Sequence, residues 1–281
     1  MSRRFMCFPG FKEKAVTFSY DDGVRQDKRL IDIFRKNGLK GTFNLNGGLF
    51  NSQRDDEFKG RMTKEEALEL YLPLGQEVAI HGYQHLSLAE LEDCVATNDV
   101  ISDSKELETL FGCVIKGMAY ANGSYDDNTV EILKKCGVSY ARTTVSTGKF
   151  DLPKDWLKIY PTCHHSEPRL MELAKEFVNS PPKKRPWSDA PRLFYLWGHS
   201  YEFDQKDNWN VIEEFAKYIG GRAEIWYATN GEIYEYIQAY DRLEFSADGS
   251  LVYNPSNVDV YIEDWQGKRI VPAGKTVRMA K

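Results

Sequence analysis

The chain has 281 residues, 42% of them hydrophobic and 13% aromatic, which is enough apolar side chain for one large folded domain and too much for a disordered chain. A formal charge of −5 offers a polyanion no footprint, so nucleic acid is excluded as the natural partner, and no apolar run is long enough to span a bilayer. Before Pro9 there are too few apolar residues for a signal-peptide core, and the five cysteines (Cys7, Cys94, Cys113, Cys136, Cys163) are odd in number and widely spaced. They read as reduced thiols, and a cytoplasmic protein is expected.

The first informative stretch is Ala15 to Tyr20, a short apolar β-type run that ends in Asp21-Asp22-Gly23. Neighbouring strand side chains point to opposite faces, but a glycine at the strand's end lets the backbone turn so that both carboxylates can reach one pocket. One could then hold a metal while the other handles a proton. Asp-Gly is also an ordinary turn signal, so taken alone the pair leaves a plain turn open. Asp27 to Asn37 follows as an amphipathic helix stopped by Gly38, and Gly41 to Asn46 alternates like a strand. Thr63-Lys64-Glu65-Glu66 is a capping-box pattern for a helix to about Leu74.

A second short apolar run, Glu77 to Ile80, leads into His81-Gly82-Tyr83-Gln84-His85, in a chain with five histidines. A spacing of four places both imidazoles on one face of a helical turn, as divalent-metal sites require. Two imidazoles with one carboxylate leave positions open for water, the composition of a catalytic metal centre. Ser87-Leu88-Ala89-Glu90 reads as another capping box, opening one or two helices that end before Gly112. Strands are expected at Val114 to Tyr120, Val138 to Thr144, Trp156 to Cys163, Leu193 to Gly198 and Glu224 to Ala228. Helices are expected at Asp127 to Cys136, near Arg169 to Val178 and Trp209 to Ile219, and from Glu232 to Tyr240. About eight strands alternating with helices fit a closed parallel barrel, and the acid pair, the histidine pair and His199 all fall where a strand ends, the rim on which such barrels build active sites. Between two of these elements the basic run Lys183-Lys184-Arg185, flanked by prolines, reads as a solvated loop.

From Arg242 the character changes. Asp248-Gly249 and Gln266-Gly267 each separate two β-type runs, so residues 242–281 are expected to form a small antiparallel β appendage to a catalytic domain of residues 1–241. Forty residues of this kind are too few to fold alone, so the appendage packs on the barrel or on a neighbouring subunit.

The segment Thr17 to Gly23 followed by His81 to His85 resembles the first two motifs of the NodB-like polysaccharide deacetylases, carbohydrate esterase family four. Tyr120 to Asp126 resembles the third motif in variant form, and Leu196-Trp197-Gly198-His199 the last. The resemblance implies a distorted (β/α) barrel of seven or eight strands and a hydrolase that deacetylates N-acetylated or O-acetylated carbohydrate. It implies one divalent metal on Asp22, His81 and His85, zinc first, with cobalt, manganese, nickel and iron(II) also suited to the donors. Asp21 is then the general base, His199 the general acid, and a backbone N–H in the Tyr120 to Gly123 turn completes an oxyanion hole, with Asn122 in that turn.

Trp197 belongs with Tyr83, Tyr120, Tyr125, Tyr201 and Phe203 as candidates for a stacking floor under a sugar ring. His164 and His165 follow a strand, as groups that touch the substrate or support the residues that do, or as a solvated loop pair. The family's third-motif arginine is missing at Ala119 to Asn122, and Asp155-Trp156 is only a partial fourth motif. Arg142, near the end of its strand, either enters the barrel mouth and pairs with Asp21 in that arginine's stead or faces outward into water. The substrate is expected to be a small molecule or oligosaccharide, with neither nucleic acid nor membrane as partner and a homo-oligomer left open. Hydrolysis of another carbon–nitrogen bond, in a ureide or cyclic imide, and a non-catalytic sugar-binding barrel are the alternatives.

Overall fold

The protein is described by a computed structural model covering residues 5–52, 60–181, 191–264 and 267–279; the basic run at 183–185 lies outside them. After a short strand β1 (Phe5–Cys7), the first barrel strand β2 (Lys14–Asp21) is buried over its whole length. Its two faces do different work. Val16, Phe18 and Tyr20 pack outward in the main core, with Phe18 4.4 Å from Phe34 between ring centres, whereas Thr17, Ser19 and Asp21 make polar contacts across the lumen. Phe34 belongs to helix α1 (Asp27–Lys36), whose buried Leu30, Ile31, Ile33 and Phe34 form the stripe that the helical period requires.

The alternation continues through β3 (Thr42–Leu45), α2 (Lys64–Leu70), β4 (Glu77–Ile80), α3 (Asp93–Phe111), β5 (Gly117–Ala119), α4 (Asp127–Lys135), β6 (Tyr140–Arg142), β7 (Cys163–His164), α5 (Leu170–Asn179), β8 (Arg192–Gly198), α6 (Tyr201–Gln205), α7 (Asn210–Ile219), β9 (Ile225–Tyr227) and α8 (Asn230–Asp241). At α2 the capping box forms, Thr63 Oγ1 accepting from Glu66 N at 3.1 Å while Glu66 accepts from Thr63 N at 2.9 Å. At Ser87 it does not: Ser87 Oγ accepts from Asn122 Nδ2 instead, only a 3₁₀ turn (Leu88–Glu90) follows, and α3 starts at Asp93.

Seven parallel strands are ordered β6-β5-β4-β3-β2-β8-β7. The ring closes through the chain before β7, where regular strand is confined to Cys163–His164 but Ala141 N reaches Trp156 O at 2.7 Å, Thr143 N reaches Ile159 O at 2.8 Å and Thr162 N reaches Tyr195 O at 2.9 Å. β9 pairs with Lys14–Val16 at the lower end of β2 while β3 pairs with Ser19–Asp21 at the upper end, so an eighth strand shares one edge with the third. The barrel is therefore distorted, as the seven-or-eight count implied. Its lower lumen is apolar, filled by Tyr140, Ile159, Leu193 and Tyr195 and plugged by Ile233, Tyr236 and Ile237 of α8.

Five further strands, β10 (Glu244–Phe245), β11 (Leu251–Tyr253), β12 (Val260–Asp264), β13 (Gly267–Val271) and β14 (Thr276–Arg278), complete two antiparallel sheets, β10-β11-β14 and β1-β12-β13. Met6 lies opposite Ile262, so the first strand of the chain ends up in the C-terminal sheet. Val252, Val260, Ile262, Val271 and Met279 pack together with Ala239 and Leu243 at the end of α8. No helix among the described residues is long and apolar enough to cross a membrane.

Candidate active site

Asp21 closes β2 with its carboxylate in the lumen mouth, and Asp22 follows with φ of +85°, a left-handed conformation rare outside glycine. That turn brings both acids to one place: His81 Nε2 lies 3.9 Å from Asp21 Oδ2 and 3.9 Å from Asp22 Oδ1. Arg61 holds Asp22 from behind, donating to its backbone carbonyl, to Asn46 Oδ1 at 2.9 Å and, more loosely, to Asp22 Oδ1 at 3.5 Å. Burial raises the Asp22 pKa, but Arg61, His81, His199 and His85 together outweigh it and hold the carboxyl well below the usual carboxylate range.

The expected helical turn between His81 and His85 is not what joins them. Gly82 has φ of +82° and His85 of +57°, so a left-handed turn reverses the chain and brings the rings together, 4.8 Å between centres. Buried acids of α3 pin this turn by its backbone. Asp103 accepts from His81 N at 2.9 Å and from Gly47 N at 2.6 Å, and Asp99 accepts from Tyr83 N and Gln84 N, each at 3.0 Å. A Cβ at position 82 would lie 2.8 Å from Asp99 Oδ2, which with the positive φ explains the glycine. His81 Nδ1 meets the Ala119 carbonyl at 2.8 Å; a carbonyl only accepts, so Nδ1 carries the proton and Nε2 presents its lone pair. Burial pushes the His81 pKa down to about 4 despite the neighbouring acids, so the ring is a neutral donor.

Two atoms sharing one ion at ordinary zinc distances lie about 3.4 Å apart. Asp22 Oδ1 is 3.4 Å from His85 Nε2 and 3.9 Å from His81 Nε2, and the three donor atoms all lie within 4.8 Å of one another. The residues therefore fit a divalent cation, with His85 leaving the solvent side open at 24% side-chain exposure.

Asp21 has a different neighbourhood. Arg142, fully buried, donates to Asp21 Oδ2 and through Nε to Ser19 Oγ at 3.1 Å, while Asn44 Nδ2 donates to Asp21 Oδ1 at 2.8 Å. Burial alone would raise this pKa; Arg142 first, then His81 and His199, more than reverse it and keep the carboxylate ionised. The Arg142 guanidinium also lies 4.4 Å over the Trp197 ring. His199, just past β8, has Nε2 3.9 Å from Asp21 Oδ2 and donates through Nδ1 to Glu202 at 2.8 Å. Burial lowers its pKa, but the Glu202 bond and the two aspartates raise it further, to a net shift upward.

Of the remaining sequence candidates, Tyr120 is buried, with its hydroxyl on Leu157 O at 2.8 Å and its N–H on Arg142 O at 3.0 Å, so any oxyanion donor in this turn has to come from the residues after it. Asn122 is exposed with φ of +55° and is tied to Ser87. Trp197 is mostly buried against the His164 ring, 4.5 Å away edge to face. His164 and His165 both turn toward Glu202, and Phe203 is fully buried against His165, away from any sugar. Arg61, Asn44, Asp99, Asp103 and Glu202 were not foreseen. Only Glu202 carried a local signal, as a carboxylate three residues after His199 on the start of a helix.

The fold is a distorted (β/α) barrel that gathers the acid pair, the histidine pair and His199 at the carboxyl ends of its strands. Residues 9–141, which carry the acid pair, the histidine pair and the Tyr120 turn, match the model of the polysaccharide deacetylase family. No curated protein matches the chain. Among solved structures, a polysaccharide deacetylase from Mycobacterium smegmatis is similar at 16% identity and a TM-score of 0.59, over 86% of this chain and 96% of that one. The Puue allantoinase is similar at 12% identity and a TM-score of 0.59, over 81% of this chain and 91% of that one. A Streptococcus pyogenes deacetylase solved with acetate is 20% identical at a TM-score of 0.46, over 50% of this chain and 61% of that one. At these identities the likeness is one of fold.

Proposed function

We propose that the protein is a metal-dependent hydrolase that removes acetyl groups from N-acetylated or O-acetylated carbohydrate, with one divalent cation, zinc first, on Asp22, His81 and His85. The observation that carries the reading is the meeting of that donor set with an ionised Asp21 and with His199, whose Nε2 stands 3.9 Å from Asp21 Oδ2. When bound, the cation lowers the pKa of a coordinated water and polarises the acyl oxygen.

The rest is the work of the chain's own residues. Asp21 takes the proton of the attacking water, ionised and oriented by Arg142 and Asn44. His199, with Nδ1 committed to Glu202, carries its exchangeable proton at Nε2 and delivers it to the departing amine or alcohol. In the Tyr120 to Gly123 turn the N–H groups of Tyr120 and Gly123 are committed to carbonyls, so the donor to the developing oxyanion is the N–H of Ala121 or Asn122. The family match over residues 9–141 favours an acyl substrate over a ureide or cyclic imide, since fold likeness extends equally to a deacetylase and an allantoinase and does not choose between them. A binding-only barrel has no use for both a proton acceptor and a proton donor beside an open metal site. The substrate is a small molecule or an oligosaccharide, and the working compartment is the cytoplasm.

Elemental analysis of the purified chain together with an acetate-release screen over N-acetyl and O-acetyl sugars tests this. One cation per chain is expected, with turnover that Asp21→Asn lowers by about 100-fold or more while the cation stays bound. Release of ammonia or ring opening from ureides without acetate release from any sugar overturns the substrate class. Full activity after exhaustive chelation overturns the metal.

A further inference from the structure

Behind His199, on the side away from Asp21, three imidazoles and an ammonium converge on one carboxylate. Glu202 Oε1 is 2.8 Å from His199 Nδ1 and 3.3 Å from His164 Nε2; Glu202 Oε2 is 3.5 Å from His165 Nε2 and 2.5 Å from Lys206 Nζ. His164, His165 and Glu202 have the composition of a second cation site, with donor atoms within 4.8 Å of one another. The tautomers speak for something else. His164 Nδ1 accepts the Ser166 backbone N–H at 3.1 Å, which only an unprotonated nitrogen can do, so the neutral ring carries its proton on Nε2, pointed at Glu202. His165 is 1% exposed, stacked on Tyr20 and Phe203, and its Nδ1 has no partner. A proton there would be a buried donor with nothing to receive it, whereas on Nε2 it meets the carboxylate. Both nitrogens that a metal would need are occupied by protons directed at Glu202.

We propose that Glu202 is the positioning residue of His199 and that His164 and His165 are clamps on Glu202, acting neither as metal ligands nor as substrate groups. Glu202 sits one turn after His199 on α6, and the two clamps stand at the end of the neighbouring strand, His164 closing β7 and His165 just past it, so the carboxylate ties two strand ends together. An imidazole has two nitrogens of similar basicity, and a fixed carboxylate at Nδ1 decides that Nε2 is the one that faces the reacting atoms. The buried setting supports a neutral ring at His165, since burial brings its pKa down to about 4, and although burial raises Glu202, the hydrogen bonds of the imidazoles and Lys206 outweigh it and hold the carboxylate ionised. This inference rests on the reading of His199 as the proton donor, but its spectroscopic and metal arms do not.

The test is nitrogen NMR of the full chain labelled at its histidine rings, with metal content and kinetics on Glu202→Gln and Glu202→Asp. Expected are a proton on Nδ1 of His199 and on Nε2 of both His164 and His165, one cation per chain in parent and variants, and loss of the His199 preference in Glu202→Gln. In the same variant kcat falls by about tenfold or more with KM nearly unchanged, and Glu202→Asp recovers part of the loss. A second cation that disappears in Glu202→Gln overturns the proposal, as does a parent His199 protonated only on Nε2. Should Glu202→Gln fail to fold, the parent spectrum and Glu202→Asp still decide. If no substrate is ever turned over, the function is wrong while the tautomers stand on their own.

Discussion

Replacing Arg142 by methionine removes the cation that faces Asp21 while keeping most of the side-chain volume. Arg142 is fully buried and Asp21 is 2% exposed, so the carboxylate left behind cannot be solvated in place; its surviving strong donor is Asn44 Nδ2 at 2.8 Å. Breaking one side of such a buried pair costs about 3–5 kcal/mol, which in a domain of this size lowers the melting temperature by about 6–20 °C. Losing the opposing charge also leaves burial as the dominant influence on Asp21 and moves its pKa upward. In the parent, with the folded pKa depressed, Asp21 contributes stability above its unfolded pKa that is lost as pH falls through the folded value; in Arg142→Met that contribution is gone and the acid limb of kcat/KM shifts to higher pH. Thermal unfolding and pH–rate profiles of Arg142→Met, Asp21→Asn and the double variant check this. In the double variant no unpaired charge is buried, so a coupling of about 2–3 kcal/mol is expected. Additive losses, or an Arg142→Met protein with the parent's stability and acid limb, would refute the reasoning.

Asp22→Ala and His81→Ala should each empty the metal site by elemental analysis, whereas His199→Ala should retain the cation and lose about 100-fold in rate; metal loss in His199→Ala would reverse the assigned roles. Asp103→Ala leaves the N–H of Gly47 without its acceptor, while His81 N keeps the Leu45 carbonyl at 2.8 Å, and is expected to cost about 1–3 kcal/mol in urea unfolding, with faster hydrogen exchange at Gly47. Burial raises Asp27 to about 7 against the hydrogen bonds of Ser200 and Tyr71, so the folded state holds a proton that the unfolded state releases, and parent stability should fall as pH rises from about 4 to about 7. Asp27→Asn should lack that fall, gaining up to about 4 kcal/mol on the parent across the window; parallel stability curves for the two proteins would show Asp27 ionised when folded.

The fold class and the placing of the chemistry at strand ends were legible because both depend on local order. Apolar runs of strand length alternate with helical stripes, and the acids and histidines that matter stand one or two residues beyond a run's end, so the rim could be located before any contact was known. The spacing of His81 and His85 was legible as well, though the geometry behind it was not: a period of four suggested a helical turn, and a left-handed glycine turn held by Asp99 and Asp103 produces the same convergence. The Ser87 capping pattern failed for a related reason, since the hydroxyl is taken by Asn122 from a distant turn.

By itself, then, the sequence determined the strand-and-helix order, the family resemblance of the motifs and the short list of groups able to do chemistry. It left open which way Arg142 points, because alternation fixes opposite faces for neighbours without saying which face is the lumen. Closure of the barrel decided that, bringing β6 across from β2 and burying a guanidinium where the carboxylate of Asp21 and the hydroxyl of Ser19 could receive it. The same closure selected Arg61 and Glu202, and the path of the chain carried β1 into the C-terminal sheet. Each of these contacts joins segments far apart in the chain or on separate strands, and the free energy that selects them, the cost of burying a charge or a hydrogen-bonding group without a partner, arises only once the partners are packed together.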